Sequence, residues 1–157
     1  MNRTLNIQEW HRLAEEGNAP PVCIPLMGYS MLPLIRFNRD LVTVVPRGEE
    51  LQAGDIVLFT VPGTETYVMH RVWDVKDRKV LTWGDNCQGP DGWLPLDTIW
   101  GKAVLIERGC LKIRPDAKKG LRWAKFMHKV GKPYRFFRVY KAAVIRRINK
   151  LRSRGSR

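Results

Sequence analysis

"DIVLFTVPGTETYVMHRVWDV", residues 55–75, is the stretch that decides the fold. Two runs rich in apolar and β-branched residues, 55–62 and 66–75, lie on either side of a Pro-Gly turn. Such runs on both sides of a tight turn are typical of a β-hairpin. The second run carries a histidine, His70, in its middle. The stretch therefore predicts two antiparallel strands, one of which presents a titratable side chain.

The same pattern continues before and after the hairpin. Short apolar runs separated by turn residues recur roughly every ten residues, with no helical pattern between them. The further runs are 40–46, 79–84, 98–109 and 110–115. This spacing predicts a mainly β fold, rich in hairpins and coiled into a small, partly open β-barrel.

A helix is expected on each side of the β-rich part. Residues 6–16 predict a short amphipathic helix, because Asn6 and Glu9 stand at the N-cap and N3 positions and the apolar residues share one face. The tail predicts two helices, at about 120–130 and about 134–152, separated by Gly-Lys-Pro. We therefore divide the chain into an N-terminal helix and lead-in (1–20), a β-rich domain (21–115) and a basic helical tail (116–157).

Positive charge is concentrated in the tail. Residues 1–110 contain 11 Lys and Arg against 14 Asp and Glu, a net charge of −3, whereas residues 111–157 contain 17 against one, a net charge of +16. A basic amphipathic helix with aromatic residues on its apolar side is typical of binding to anionic membrane surfaces, and residues 120–152 fit this pattern. Packing of the helix on the β-rich domain is an alternative. Contact with nucleic acid is the interpretation that we favour least.

The sequence predicts a cytoplasmic protein, with the inner face of the membrane as a peripheral location. The longest nearly uncharged stretch, residues 18–35, is interrupted by prolines and cannot be a spanning helix, and the N-terminus does not resemble a signal peptide. The three cysteines, Cys23, Cys87 and Cys110, lack metal-ligand or disulfide spacing and are expected to be reduced thiols. We expect no cofactor and no metal.

A serine in "GYSMLP", residues 28–33, raises the question of nucleophilic chemistry. A serine nucleophile needs a base that takes its proton. His11 lies on the polar side of the first helix and His128 lies among lysines in the tail, which leaves His70 as the candidate base for Ser30. By itself, a single histidine on a strand is more often structural.

The segment "WGDNCQGPD", residues 83–91, favours a catalytic role for His70 over a structural one. It places two carboxylates, Asp85 and Asp91, at a turn that follows a strand. Either carboxylate could accept a hydrogen bond from the imidazole of His70 and so fix its tautomer and raise its basicity. Cys87 lies in the same segment and has no role assigned by the sequence.

Five short segments, in order, resemble the sequence boxes of the signal-peptidase and LexA-like superfamily of serine proteases. They are "GYSMLPLI", "GDIVLF", "HRV", "GDN" with a later Asp, and "IWGKAV", and together they cover roughly residues 24–106. Many members of this superfamily use a lysine base. The position is occupied here by His70, so the chain resembles the serine–histidine branch, which includes endoplasmic-reticulum-type and archaeal signal peptidases.

The resemblance implies a role for each matched residue. Ser30 matches the nucleophile, His70 matches the general base, and Asp91, six residues after Asp85, matches the third catalytic group. Asp85 would then shape the turn or share the role of Asp91. The implied activity is that of a serine endopeptidase that cleaves a leader or signal segment of another protein.

The residues around Ser30 are candidates for substrate and oxyanion binding. Gly28 would let an extended substrate approach the backbone closely, and the backbone N–H of Ser30 would donate to the developing oxyanion. Tyr29, Met31 and Pro33 complete this set, and we expect Met31 and Pro33 to bury and stiffen the segment.

The chain also departs from the superfamily. The sequence predicts neither the membrane-spanning helix that signal peptidases use nor the DNA-binding domain that precedes LexA-like proteases. An alternative function is therefore a catalytically inactive peptide-binding module on the same β fold, tethered by the basic tail. A repressor-like protease that cleaves itself is a weaker alternative.

Overall fold

The structure, a computed structural model, describes residues 7–48, 50–61 and 63–130, and it is mainly β. Helix α1 spans Ile7–Glu15, a 3₁₀ turn spans Leu96–Thr98, and residues 117–130 are helical. The eight strands are β1 (Val22–Pro25), β2 (Leu41–Pro46), β3 (Ile56–Thr60), β4 (Tyr67–Lys76), β5 (Lys79–Trp83), β6 (Gly92–Pro95), β7 (Ile99–Arg108) and β8 (Leu111–Ile113).

The strands form one antiparallel sheet in the order β1-β2-β7-β3-β4-β5-β6, and β8 pairs with β7. The strands at the two ends, β1 and β6, do not pair with each other within the described part of the chain, so the sheet is open. The prediction of a mainly β fold is confirmed.

The predicted hairpin, β3 with β4, forms the centre of the sheet. Its register runs from Ile56 opposite Arg71 to Thr60 opposite Tyr67, and it sets His70 opposite Val57. Alternate side chains of β3 enter two apolar clusters, with Ile56 and Leu58 in the first and Val57 and Phe59 in the second. Both faces of β3 are buried, and the middle of the neighbouring strand β4, which includes His70, is buried as well.

Two strands differ from the sequence prediction. β1, in the proline-rich lead-in, pairs with β2 from Val22 opposite Val44 onward, and β6, "GWLP", pairs with β5. Glycine and proline are unfavourable in strand interiors, which is why these segments do not read as strands. β1 and β6 are nevertheless strands, because each lies at an end of the sheet and pairs with a well-formed neighbouring strand.

Helix α1 is anchored by one aromatic residue. Trp10 is fully buried in the first apolar cluster, and its indole N–H donates to the carbonyl of Pro20 at 2.7 Å. The predicted helix at 6–16 agrees with the observed Ile7–Glu15, although Asn6, the expected N-cap, lies outside the described residues.

The helix at 117–130 begins at an aspartate cap. The Lys119 N–H donates to Asp116 Oδ1 at 2.8 Å, the hydrogen bond that an N-cap side chain makes with the third helical residue. The predicted helix at about 120–130 lies within this range, whereas the predicted helix at 134–152 falls outside the described residues.

The chain divides into two compact units, Met1–Trp123 and Ala124–Arg157. The division into three parts at residues 20 and 115 remains a prediction. Among the described residues, no helix has both the length and the apolar character needed to span a membrane.

Candidate active site

The loop that carries Ser30 follows β1 and enters the apolar core. Gly28 has a φ of 94°, a left-handed conformation that favours glycine. Ser30 is half-buried, and the next side chain, Met31, is 3% exposed within the first apolar cluster. The Ile35 N–H donates to the Met31 carbonyl at 2.9 Å. The serine therefore lies at the edge of the core, next to a buried methionine that fixes the loop.

The far end of this loop is fixed by an ion pair with β7. The Arg108 guanidinium lies 2.6 Å from Asp40 Oδ2 and 2.7 Å from Asp40 Oδ1, and it also donates to the Leu34 carbonyl at 2.9 Å. The hydrogen bond from Arg108 lowers the pKa of the buried Asp40 carboxyl below its ordinary value. The segment between Ser30 and β2 is thus attached to the sheet by a charged, bidentate contact.

A second set of contacts joins the Ser30 loop to the turn after β5. The Asn86 backbone N–H donates to the Ser30 carbonyl at 2.7 Å, and the Asn86 side-chain amide donates to the Tyr29 carbonyl at 2.9 Å. An asparagine can make both bonds because its side chain and its backbone each supply a donor. The "GDN" segment and the "GYS" segment therefore form one structural unit.

His70 lies almost fully buried on β4, with 6% of its surface exposed. Its Nδ1 atom is 2.7 Å from Asp91 Oδ2, and the Asp91 side chain is 25% exposed. A carboxylate only accepts hydrogen bonds, so in the neutral imidazole Nδ1 carries the proton and Nε2 carries the lone pair. The contact fixes the tautomer in which Nε2 can take a proton from another group.

Asp91 is itself oriented by a residue of β5. The Thr82 hydroxyl donates to Asp91 Oδ2 at 2.8 Å, and the Asp91 N–H donates to the Thr82 carbonyl at 2.9 Å. Thr82 is fully buried. No sequence pattern marks this threonine, because a threonine inside an apolar strand is ordinary.

The environment of His70 favours its protonated form. Burial disfavours the imidazolium and lowers the pKa of His70, but the hydrogen bonds with Asp91 and Cys87 outweigh it and raise the pKa to about 9. A buried histidine with an adjacent carboxylate is the arrangement that functional sites use to hold a strong base.

Cys87 occupies the other side of the imidazole. Its Sγ atom lies 3.8 Å from His70 Nε2. The close approach depends on Gly84, because a Cβ atom at that position would lie 2.6 Å from Cys87 Sγ and 2.8 Å from His70 Nε2. This cysteine has no role predicted from the sequence, since nothing in its spacing indicates that the turn brings it to the histidine.

The other carboxylate of the segment, Asp85, does not lie against His70. It accepts two hydrogen bonds from Arg71, at 2.8 Å to Oδ1 and 2.6 Å to Oδ2, and both side chains are buried. Arg71 also donates to the Gly54 carbonyl at 2.9 Å. The two aspartates that the sequence left as alternatives thus occupy different places, Asp91 beside the histidine and Asp85 in a structural ion pair.

A cleft of about 600 Å³ lies in front of this cluster. Its lining includes four of the candidate site residues, Gly28, Ser30, Met31 and His70, together with Cys87. The rest of the lining is largely apolar. Of the other two residues expected around the serine, Tyr29 is exposed and packs edge-on to Phe37, and Pro33 is exposed rather than buried as expected. Neither lines the cleft, because the loop turns them outward.

The cluster can support acid–base and nucleophilic chemistry, since it combines a hydroxyl, a thiol and a histidine oriented by a carboxylate. Within residues 7–48, 50–61 and 63–130, no three His, Cys, Asp or Glu side chains are grouped as the ligands of a metal ion would be.

No protein-family model matches the chain, and no curated protein matches it.

Proposed function

We propose that this chain is a serine endopeptidase of the signal-peptidase-like, serine–histidine kind. One observation carries the proposal: His70 is hydrogen-bonded through Nδ1 to Asp91 and lines the same cleft as Ser30. Serine acyl transfer requires a base with a fixed tautomer that can reach the serine hydroxyl, and the shared cleft supports this pairing. The resemblance of the five sequence segments supports the same assignment.

In the proposed mechanism, Ser30 Oγ attacks the scissile carbonyl carbon while its proton passes to His70 Nε2. The tetrahedral intermediate then collapses, the C–N bond breaks, and the imidazolium returns the proton to the leaving amine. Water attacks the resulting ester, and His70 accepts the proton of that water. Asp91 holds the imidazole in position and stabilises its positive charge. The backbone N–H of Ser30 is the proposed oxyanion donor.

The substrate that we propose is an extended leader or signal segment of another protein. The cleft supports this proposal because its lining includes the edge strand β1 and the start of β4, between which an extended chain would lie. Buried apolar side chains at its base, among them Leu58 and Met69, favour an apolar peptide segment over a charged one.

We also infer, from the resemblance, that the open sheet is the coiled, partly open barrel of the signal-peptidase and LexA-like superfamily. Under this proposal the enzyme works in the cytoplasm or at the inner face of the membrane, where the basic tail would bring it close to its substrates.

The test is covalent labelling with a fluorophosphonate, a reagent that reacts with activated serines and requires no knowledge of the substrate. The test is specific because the chain has three serines, Ser30, Ser153 and Ser156, and Ser30 lines the same cleft as the proposed base. We expect one label per chain, located at Ser30 by peptide mass spectrometry. Ser30→Ala should abolish labelling, and Ser153→Ala, the matched control, should leave it unchanged.

Two results would contradict the proposal. Equal labelling of Ser30→Ala and the natural protein would show that the reagent reacts elsewhere. No labelling of the natural protein at any pH would favour the alternative function, a catalytically inactive peptide-binding module.

A further inference from the structure

The proposed mechanism gives no role to the thiol of Cys87, which lies beside His70. Its Sγ atom lies 3.8 Å from Nε2, the nitrogen that would take the proton of Ser30. The thiol also lines the cleft that Ser30 lines. The cysteine is therefore positioned to exchange a proton with the same base.

Several contacts fix the thiol in this position. The Cys87 N–H donates to the Gly84 carbonyl at 2.9 Å and closes the turn, and the Trp83 indole N–H donates to the Cys87 carbonyl at 3.2 Å. Asn86, the residue before it, is bonded to the Ser30 loop. Since Gly84 has no side chain, the turn can bring sulfur and imidazole together.

The chemistry of a thiol differs from that of a hydroxyl in one respect that matters here. An ordinary cysteine has a pKa of about 8.5, so a base such as His70 removes its proton far more readily than that of a serine. Nε2 of a neutral imidazole has a single lone pair. It can accept a proton from Cys87 or from Ser30, but not from both.

We propose that Cys87 is a thiol-modification site inside the cleft, at which a small, uncharged disulfide forms a mixed disulfide and thereby disables the His70–Ser30 pair. The inhibitory consequence rests on the proposed function, whereas the reactivity of the thiol does not. The cleft favours an uncharged reagent because most of its lining is apolar.

The step is a thiol–disulfide exchange. Cys87 gives its proton to His70 Nε2 where the imidazole is neutral, or to water where His70 is already protonated, and the thiolate attacks one sulfur of the disulfide. A new S–S bond forms to Cys87, the original S–S bond breaks, and the released thiolate takes a proton from the imidazolium or from water. The group left on Cys87 then occupies the space between Nε2 and the cleft. A dithiol reductant reverses the exchange.

The groups around His70 agree with this proposal. The titratable side chains that face it are Asp91, ahead of β6, and Cys87 itself, while β3 presents Val57 and the ring of Phe59. The contact with Cys87 is one of the causes that raise the pKa of His70. A protonated histidine would stabilise the adjacent thiolate.

The first measurement is the rate at which each cysteine reacts with 4,4′-dithiodipyridine, followed by the absorbance of the released thiopyridone. Three proteins that each keep one cysteine provide the comparison, since Cys23 and Cys110 are exposed and Cys87 is half-buried. At about pH 5 an ordinary thiol is almost wholly protonated, and we expect Cys87 to react at least about tenfold faster than the other two. Exposure alone predicts the reverse order.

Variants of the base test the cause of this reactivity. In the protein that keeps only Cys87, His70→Asn should remove most of the rate advantage at acidic pH, and Asp91→Asn should reduce it if the first variant does not fold. A Cys87 that reacts no faster than Cys23 or Cys110 would overturn the proposal. So would a fast rate that neither variant changes.

The second measurement is fluorophosphonate labelling of Ser30 in the same single-cysteine protein. Labelling should fall severalfold or more after the mixed disulfide forms and return after treatment with dithiothreitol. Cys87→Ala, in the background without Cys23 and Cys110, should give the same labelling before and after disulfide treatment. Labelling that is unchanged by full modification of Cys87 would overturn the inhibitory role.

The two failures are distinguishable. If Ser30 is never labelled while Cys87 still reacts rapidly, also in Ser30→Ala, the proposed function fails and the modification site stands. If Ser30 is labelled and Cys87 is slow, the modification site fails and the proposed function stands.

Discussion

His70 is a nearly buried histidine that is nevertheless stabilised as a cation. Burial alone would favour the neutral ring, so the raised pKa, about 9, depends on the hydrogen bonds with Asp91 and Cys87. Asp91 in turn is held by Thr82. At the scale of single residues, the protonation of His70 therefore depends on Asp91 and Cys87, and the position of Asp91 depends on Thr82.

The raised pKa has a consequence for stability. Since the folded-state pKa of His70 is about 9 and its ordinary value is 6.5, its contact with Asp91 contributes fully below about pH 6.5, and this contribution is lost as the pH rises through 9. We expect Asp91→Asn to lower the free energy of unfolding most at about pH 6 and least above pH 9. Urea unfolding at several pH values measures this difference.

The exposed Asp77, in the turn between β4 and β5, provides the control for that experiment. Asp77→Asn should give a stability profile parallel to that of the natural protein. A cost of Asp91→Asn that stays constant from pH 6 to pH 9.5, beyond the control, would contradict the proposed charge state of His70.

At this scale the sequence predicted which residue types would meet, but not all of their contacts. It identified His70 as the candidate base and left Asp85 and Asp91 as alternatives. Asp91 and not Asp85 contacts the imidazole, because Asp85 forms an ion pair with the buried guanidinium of Arg71. That pairing, like the approach of Cys87, is set by the conformation of the 84–87 turn and not by any local pattern.

Arg71 connects several elements of the fold. It lies on β4, pairs with Asp85 in the turn after β5, and donates to the carbonyl of Gly54 before β3. Its guanidinium also lies against Gly120 in the helix at 117–130, where a Cβ atom would overlap it. At the scale of elements, one buried cation thus joins two turns, a strand and the start of a helix.

Breaking this ion pair should be costly. We expect Asp85→Asn to lower the free energy of unfolding by roughly 3–5 kcal/mol, because it leaves the buried Arg71 without a countercharge. Asp77→Asn, an exposed change of the same chemistry, should stay within about 0.5 kcal/mol. Urea unfolding monitored by tryptophan fluorescence gives both values, and equal costs would contradict a structural role for the pair.

Gly54 shows why the "GDIV" segment begins with glycine. Its φ is 104°, and a Cβ atom there would overlap the carbonyl group of Ala117. Gly92 has nearly the same φ, 102°, but open space where its Cβ atom would lie. Alanine substitutions at these two glycines therefore separate the free-energy cost of backbone strain from the cost of steric overlap.

We expect Gly92→Ala to cost about 1–2 kcal/mol through strain alone, and Gly54→Ala to cost about 1–3 kcal/mol more because of the overlap. The difference in the free energy of unfolding between the two variants is the quantity to measure. Equal costs would show that the start of the helix at 117–130 does not pack on the 54–55 turn.

Elements with strong local signals were predicted well, and those that depend on a neighbour were not. The β3–β4 hairpin was predicted because strand-forming residues flank a turn. β1 and β6 contain proline and glycine, and only pairing with β2 and β5 makes them strands. Their existence is a property of the sheet, which a local pattern cannot show.

The whole molecule is electrically asymmetric. Residues 1–110 have a net charge of −3 and residues 111–157 a net charge of +16. In the described part of the tail, the basic residues of the helix at 117–130 are exposed: Lys118, Lys119, Arg122, Lys125 and Lys129. This distribution favours contact of the tail with an anionic surface.

We expect the full chain to sediment with vesicles that contain anionic phospholipid and not with vesicles of neutral phosphatidylcholine. Each basic residue near the surface contributes about 1 kcal/mol, and salt should weaken the binding. Lys125→Glu combined with Lys129→Glu should reduce the bound fraction. Equal binding to neutral vesicles, or binding that the charge reversal leaves unchanged, would contradict an electrostatic membrane contact.

The central claim is that Ser30 and His70 act as nucleophile and base, and the pH dependence of fluorophosphonate labelling at Ser30 tests it most directly. Only neutral His70 can accept the serine proton, so the labelling rate should rise with pH to a midpoint near 9. Asp91→Asn should move the midpoint towards 6.5 and lower the plateau rate, and His70→Asn should reduce the rate by roughly 10²–10⁴-fold. A labelling rate that is independent of pH between 6 and 10, or that survives the loss of His70, would contradict the account.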